Sequence, residues 1–109
     1  MSSHVSAFID IVGASGASYR FLRLDGPSRL PATAGNFIFT RPGPTGDEVV
    51  CCGVASTLAY AADAWRNAAA EHQAAAIYIR LNVSRTIRTA EHEDIVAKQA
   101  PILAIADRA

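Results

Sequence analysis

The stretch NFIFTRPGPTGDEVVCCGV, residues 36–54, reads as a β-hairpin. Asn36-Phe-Ile-Phe-Thr40 and Val49-Val-Cys-Cys-Gly-Val54 are rich in the aromatic and β-branched residues that suit a pleated, packed surface. Between them, RPGPTGDE holds two prolines and two glycines, which predicts a loop joining the two strands. Downstream, Leu58, Ala61, Ala62, Trp65, Ala68, Ala69 and His72 recur at the spacing of one helix face. Ser56 or Thr57 is placed to cap that helix with a side-chain oxygen. Residues 74–83 then alternate: Ile77, Ile79, Leu81 and Val83 on one side, Tyr78, Arg80 and Asn82 on the other, the pattern of a half-buried strand. Residues 84–99 read as a second helix, with Glu91, Glu93 and Asp94 early and Lys98 near its end, as the helix dipole favours. Pro101 stops it. Upstream, YRFLRL at residues 19–24 is a strand, and residues 4–12 form another, with GASGAS as the turn between them. The order is two N-terminal strands, a hairpin, a helix, a strand and a helix. It predicts an α+β domain with a mixed or antiparallel sheet of three to five strands and two helices packed on it.

The 109 residues fit a single domain, 1–109, large enough to bury a core without disulfide staples. Ten basic residues balance ten acidic ones, which excludes a strongly basic nucleic-acid or membrane-surface protein while leaving room for a local patch. Half the residues are apolar and 18% are charged, which excludes a fully disordered chain. No apolar run approaches the roughly 18 residues that would mark a membrane helix. The start, MSSHVSAFIDIV, carries no Lys or Arg and so lacks the basic region of a signal peptide. Cys51 and Cys52 are adjacent and build no disulfide framework. The expected location is the cytoplasm.

Few residues suggest chemistry. Ile11-Val-Gly-Ala-Ser-Gly16 has the glycine content of a phosphate-binding turn, but that mechanism needs a helix next, and YRFLRLDG follows instead. It reads as a turn between strands. Cys51 and Cys52 should point to opposite faces of their strand, and His4, His72 and His92 pair with nothing at metal-ligand spacing. Arg80, Arg85 and Arg88, joined by Arg66, are candidates for a phosphate-holding edge, because guanidinium forks match phosphate oxygens. The competing reading is a solvated face in which Arg88 pairs with Glu91 and Arg66 with Asp63.

The element order resembles that of the GIY-YIG nuclease domain, in which a hairpin carries the two motifs and a helix, a strand and a second helix follow. AGNFIF at residues 34–39 and VVCCGVAS at 49–56 put Gly35-Asn-Phe37 and Cys51-Cys-Gly53 at the motif positions, and AEHEDIVAKQAPILA at 90–104 is similar to the family's terminal helix. The likeness covers about residues 30–105, leaving residues 1–20 as an extra N-terminal strand or arm. The family implies a Glu that holds a divalent ion, Tyr residues that position the nucleophile, and an Arg that meets the charge developing on phosphate. Here those positions carry Phe37, Cys51, Ala59 and His92, and the late Asn position is Ala104. Glu91 and Glu93 flank His92, but a shift of one residue turns a side chain about 100° around a helix. The resemblance therefore implies the fold without the activity.

The expectation is a catalytically inactive GIY-YIG-like domain that serves as a binding or assembly module without a cofactor. Its partner would be a second copy or another protein, and no membrane. The alternatives are a Mg²⁺-dependent endonuclease or nucleic-acid binder using the Arg edge with Glu91 or Glu93, and a small-molecule binder with a pocket near Cys51 and Tyr60. Trp65, mid-stripe among alanines, is expected to anchor the first helix on the sheet. Ala59, Tyr60 and Ala70 on the outer side of that helix offer a smooth surface for self-association.

Overall fold

The computed structural model describes residues 7–107. His4 and the first residues of the strand expected over 4–12 lie outside them. Six strands and two helices follow one another: β1 (Phe8–Val12), β2 (Ser18–Leu24), β3 (Gly35–Gly43), β4 (Gly46–Ala55), α1 (Ala61–His72), β5 (Ala76–Leu81), α2 (Arg85–Gln99) and β6 (Leu103–Ile105). The strands form one sheet in the order β1-β2-β5-β3-β4-β6. All neighbours are antiparallel except β4 and β6, which run parallel. The architecture is thus α+β with a mixed sheet, as expected. It has six strands rather than three to five, because Leu103–Ile105 beyond Pro101 adds a short edge strand beside Cys51–Gly53.

The two helices cover opposite faces. Side chains alternate along a strand, so Phe37, Phe39, Cys51, Ile77 and Ile79 join Leu58, Ala61 and Ala68 on the α1 side. Ile11, Phe21, Ile38, Cys52 and Tyr78 join Ile95 on the α2 side. The two cysteines do point apart. Covering both faces also corrects the half-buried reading of residues 74–83: Ile77, Tyr78 and Ile79 are all buried, because β5 lies in the middle of the sheet between β2 and β3. Only past that cover does the chain emerge, at Leu81 and Val83.

Two local expectations change. The hairpin is longer than its composition suggests, since pairing runs out through Pro42↔Asp47 to Gly43↔Gly46 and leaves only Pro44 and Thr45 as the turn. Beyond Thr40, strand β3 has no β5 partner, so a proline there sacrifices no bond to a third strand. Arg41 holds the arm, pairing with Glu48 at 3.0 Å and donating to the His72 carbonyl at 3.0 Å. Helix α1 is not capped by a Ser56 or Thr57 hydroxyl. A 3-10 turn over Leu58–Tyr60 precedes it, and the Leu58 amide donates to the Thr33 carbonyl at 2.8 Å. In contrast, Ser84 Oγ accepts from the Ile87 amide and caps α2. Because α2 begins at Arg85, Glu91, Glu93 and Asp94 fall mid-helix rather than early.

Trp65 is half-buried and packs against the α1-side core, its ring edge-on to Phe39 at 5.2 Å. Among the described residues no helix is long and apolar enough to cross a membrane.

Candidate functional site

The degenerate motif positions do not meet in one cleft. Phe37 and Cys51 are buried under α1, and Ala59 sits in the 3-10 turn leading into that helix. His92 lies on α2, on the buried stripe with Arg88 and Ile95, across the sheet from Phe37 and Cys51. Ala104 is exposed on the edge strand β6. The two retained glycines have packing reasons. A Cβ on Gly53 would land inside the ring of Phe37, its cross-strand partner, and one on Gly35 would collide with the Arg80 carbonyl oxygen. Burial pushes both thiols up to about 12, with Cys51 adding to the effect on Cys52, so neither is a nucleophile at neutral pH. Burial also lowers the pKa of His92, against a smaller opposing effect of Glu93, which favours the neutral ring. Among the described residues, no three His, Cys, Asp or Glu side chains converge as a metal site.

The arginines are dispersed, and three of the four, Arg66, Arg80 and Arg88, are paired with carboxylates. Arg66 lies on α1 and pairs with Asp63, as the spacing predicts. Arg88 does not pair with Glu91. It is buried and bonds Asp107 at 2.8 Å and the Val83 carbonyl at 2.8 Å, while the second Asp107 oxygen is buried without a hydrogen-bond partner. Glu91 instead takes Arg80 at 2.8 Å and the Asn82 amide at 2.9 Å. The Arg80 guanidinium also lies over the Tyr19 ring, 5.6 Å from its centroid. Arg85 is exposed. Asn82 donates to Asn36, and Asn36 donates to the Arg88 carbonyl, so the polar groups form a continuous seam between α2 and the sheet. A seam satisfied in this way fixes how the helix sits.

The GASGAS turn ends at the same helix, and it does hold an anion. Ser15 donates to Asp94 through its amide at 2.8 Å and its hydroxyl at 2.7 Å. The Tyr19 hydroxyl donates at 2.7 Å, and the Ala14 amide reaches the Asp94 carbonyl at 3.0 Å. Hydrogen bonds from Ser15 and then Tyr19 hold the Asp94 carboxyl below its ordinary range, and the same contact raises the Tyr19 phenol. Glycine at 13 lets the carboxylate approach this closely, since a Cβ there would push the Asp94 side chain aside. The chain's own Asp94 thus occupies the turn that composition offered to phosphate. Their separation of 79 residues hid the pair from any local motif.

Among the described residues, a groove and a partly exposed part of the sheet stand out. A groove of about 560 Å³ lies between α1 and the β4–β6 edge, lined by Phe37, Ser56, Tyr60, Asn67 and Ile105 among others. Tyr60 belongs to it, as the small-molecule reading expects, whereas Cys51 lies beneath in the core. The second surface is larger in consequence. Helix α1 packs mainly on β3 and β4; Ile77 and Ile79 of β5 join its core with Leu24, and among the described residues the face is most exposed toward β1, β2 and the end of β5. Phe8 is 48% exposed there, Leu22 38% and Leu81 63%, beside Leu24 and Ile79, with Arg20 and Arg29 at the border.

The fold is an α+β domain with a helix on each face of a mixed sheet. No family model, curated protein or solved structure matches the chain.

Proposed function

We propose that the chain is a non-catalytic, GIY-YIG-like binding and assembly domain that acts in the cytoplasm through a protein partner at the partly exposed β2–β5 end of the α1 face. The observation that carries this reading is the pair of exposed leucines Leu22 and Leu81, which stand on the same face of the neighbouring strands β2 and β5 on either side of buried Ile79 and the Arg20 position. Contiguous exposed apolar surface of this kind, with a polar rim, marks interaction sites. The non-catalytic part is supported by the burial of Phe37 and Cys51 on one side of the sheet with His92 on the other. A nucleic-acid role draws no support from Arg80 and Arg88, whose charges are met by Glu91 and Asp107.

The test has two arms. A photo-crosslinking amino acid placed at Leu81 should capture a protein in cells, while the same group at Tyr60 should not. Equal capture at both positions, or at neither, refutes the assembly reading. Incubation of the purified chain with plasmid and Mg²⁺ or Mn²⁺ should leave the DNA intact. Nicking that disappears in Glu91→Gln or Glu93→Gln refutes the non-catalytic reading.

A further inference from the structure

We propose that residues 100–107 form a strap that opens as a unit while the rest of the sheet stays folded, and that the buried Arg88–Asp107 pair is the clasp that closes it. The proposal stands apart from the assembly reading. In its closed position the strap guards two features at once. Its strand β6 pairs with Cys51–Gly53 along the side of β4 that faces away from β3. Ile105 and Ala106 form one wall of the groove beside α1. Opening therefore bares the backbone edge of β4 and widens the groove in one movement.

The strap, APILAIAD, carries a single polar side chain, so the Asp107 carboxylate makes its one side-chain hydrogen bond to the body of the protein. Strand β6 is three residues long, and Leu103 and Ile105 are only half-buried where they pack on the α1-side core. The lead-in is strained. Ala100 has φ 46, a left-handed conformation that its methyl group resists, and Pro101 brings no amide hydrogen to hold the bend. Opening frees Ala100 to leave that conformation. The clasp itself is closely balanced. Both side chains are buried and bonded at 2.8 Å, yet the second Asp107 oxygen has no partner. Two charges taken from water regain little more through their attraction than the hydration they lose, and an orphaned oxygen regains nothing. Opening returns that oxygen to water. By contrast, β5 is bonded on both sides, by β2 and by β3, and comes free only when the sheet does.

Native-state hydrogen exchange, followed residue by residue by NMR over a series of low urea concentrations, tests the strap. In the wild-type chain the hydrogen-bonded amides of β6 should exchange through an opening that responds weakly to urea, because it uncovers little surface. Those of β5 should exchange only with the steep response of whole-chain unfolding. Asp107→Asn removes the charge against which Arg88 is buried, and should speed exchange in β6 by at least about tenfold. Ala100→Gly relaxes the lead-in of the closed form, and should slow exchange in β6 by about two- to fivefold.

Exchange in β6 with the same urea response and the same opening free energy as β5 overturns the strap, and this wild-type comparison needs no variant to fold. Unchanged β6 exchange in Asp107→Asn overturns the clasp. Equal or faster β6 exchange in Ala100→Gly overturns strain in the lead-in as a force that favours opening. Leu81 lies on β5, outside the strap, so the crosslinking test of the assembly reading succeeds or fails independently.

Discussion

Gly53→Ala tests whether the hairpin's glycine serves packing. The added methyl would sit within the space now filled by the Phe37 ring, which is 2% exposed. That ring has little room to swing, because Phe39 stacks beside it at 5.1 Å between centroids. Forcing a methyl into a filled core costs about 1–3 kcal/mol. Replacing a strand glycine by alanine returns about 0.5–1 kcal/mol by restricting the unfolded chain. The net expectation is a loss of about 1–2 kcal/mol, a fall in Tm of roughly 4–15 °C for a domain of this size. Urea titration followed by fluorescence of the single tryptophan, Trp65, measures it, since that ring sits edge-on to Phe39 in the same cluster. The decisive comparison is the same substitution in a Phe37→Leu background, where a shorter side chain frees the space. There the cost should fall to less than half. A neutral Gly53→Ala, or an equal cost in both backgrounds, refutes the packing argument.

Asp94→Asn should destabilise the chain with a defined pH profile, measured as the wild-type minus variant difference in unfolding free energy. The folded Asp94 carboxyl lies below its ordinary 3.8, so its contribution is present above that value and lost as pH falls through the folded one. The folded Tyr19 phenol lies above 10.0, so its contribution is present below that value and lost as pH rises through the folded one, and a flat difference across the whole range refutes the stabilising role of the Asp94 contact with Ser15 and Tyr19. Both thiols, pushed to about 12 by burial, should react with a disulfide reagent at pH 8 only as fast as the chain unfolds. Rapid labelling of either in the native state contradicts their burial. Ala100→Gly should stabilise the chain by roughly 0.5–1 kcal/mol in the same urea assay, because Ala100 ends α2 in a left-handed conformation that costs a side chain about 1–2 kcal/mol. A loss of stability there refutes the strain.

The elements were largely legible because their signals are local. Alternation marked β5, the i, i+3, i+4 stripe marked α1, and Ser84 with Pro101 bracketed α2. The extra edge strand was not, since three residues past a proline carry no periodicity. Nor was the sheet order, because a central strand and a half-buried one can share the alternating segment YIRLNV. The site was less legible still. Arg88 and Glu91 stand at ideal helical spacing, yet each is drawn to a partner on another element, Asp107 and Arg80. Geometry within a helix could not reveal a buried carboxylate brought over by the C-terminal strand.

The position of β5 sets the order in which this chain can assemble. The β1–β2 hairpin and the β3–β4 hairpin are each local, but they are hydrogen-bonded into one sheet through β5, whose residues come later than both. During synthesis the two hairpins emerge first, with the edges of β2 and β3 unpaired until residue 81 clears the ribosome. Contacts of such long separation slow folding, because the loop between them must close before they give anything back. The exposed interval is therefore a property of topology, and a chain cut after α1 would retain both hairpins with nothing to join them.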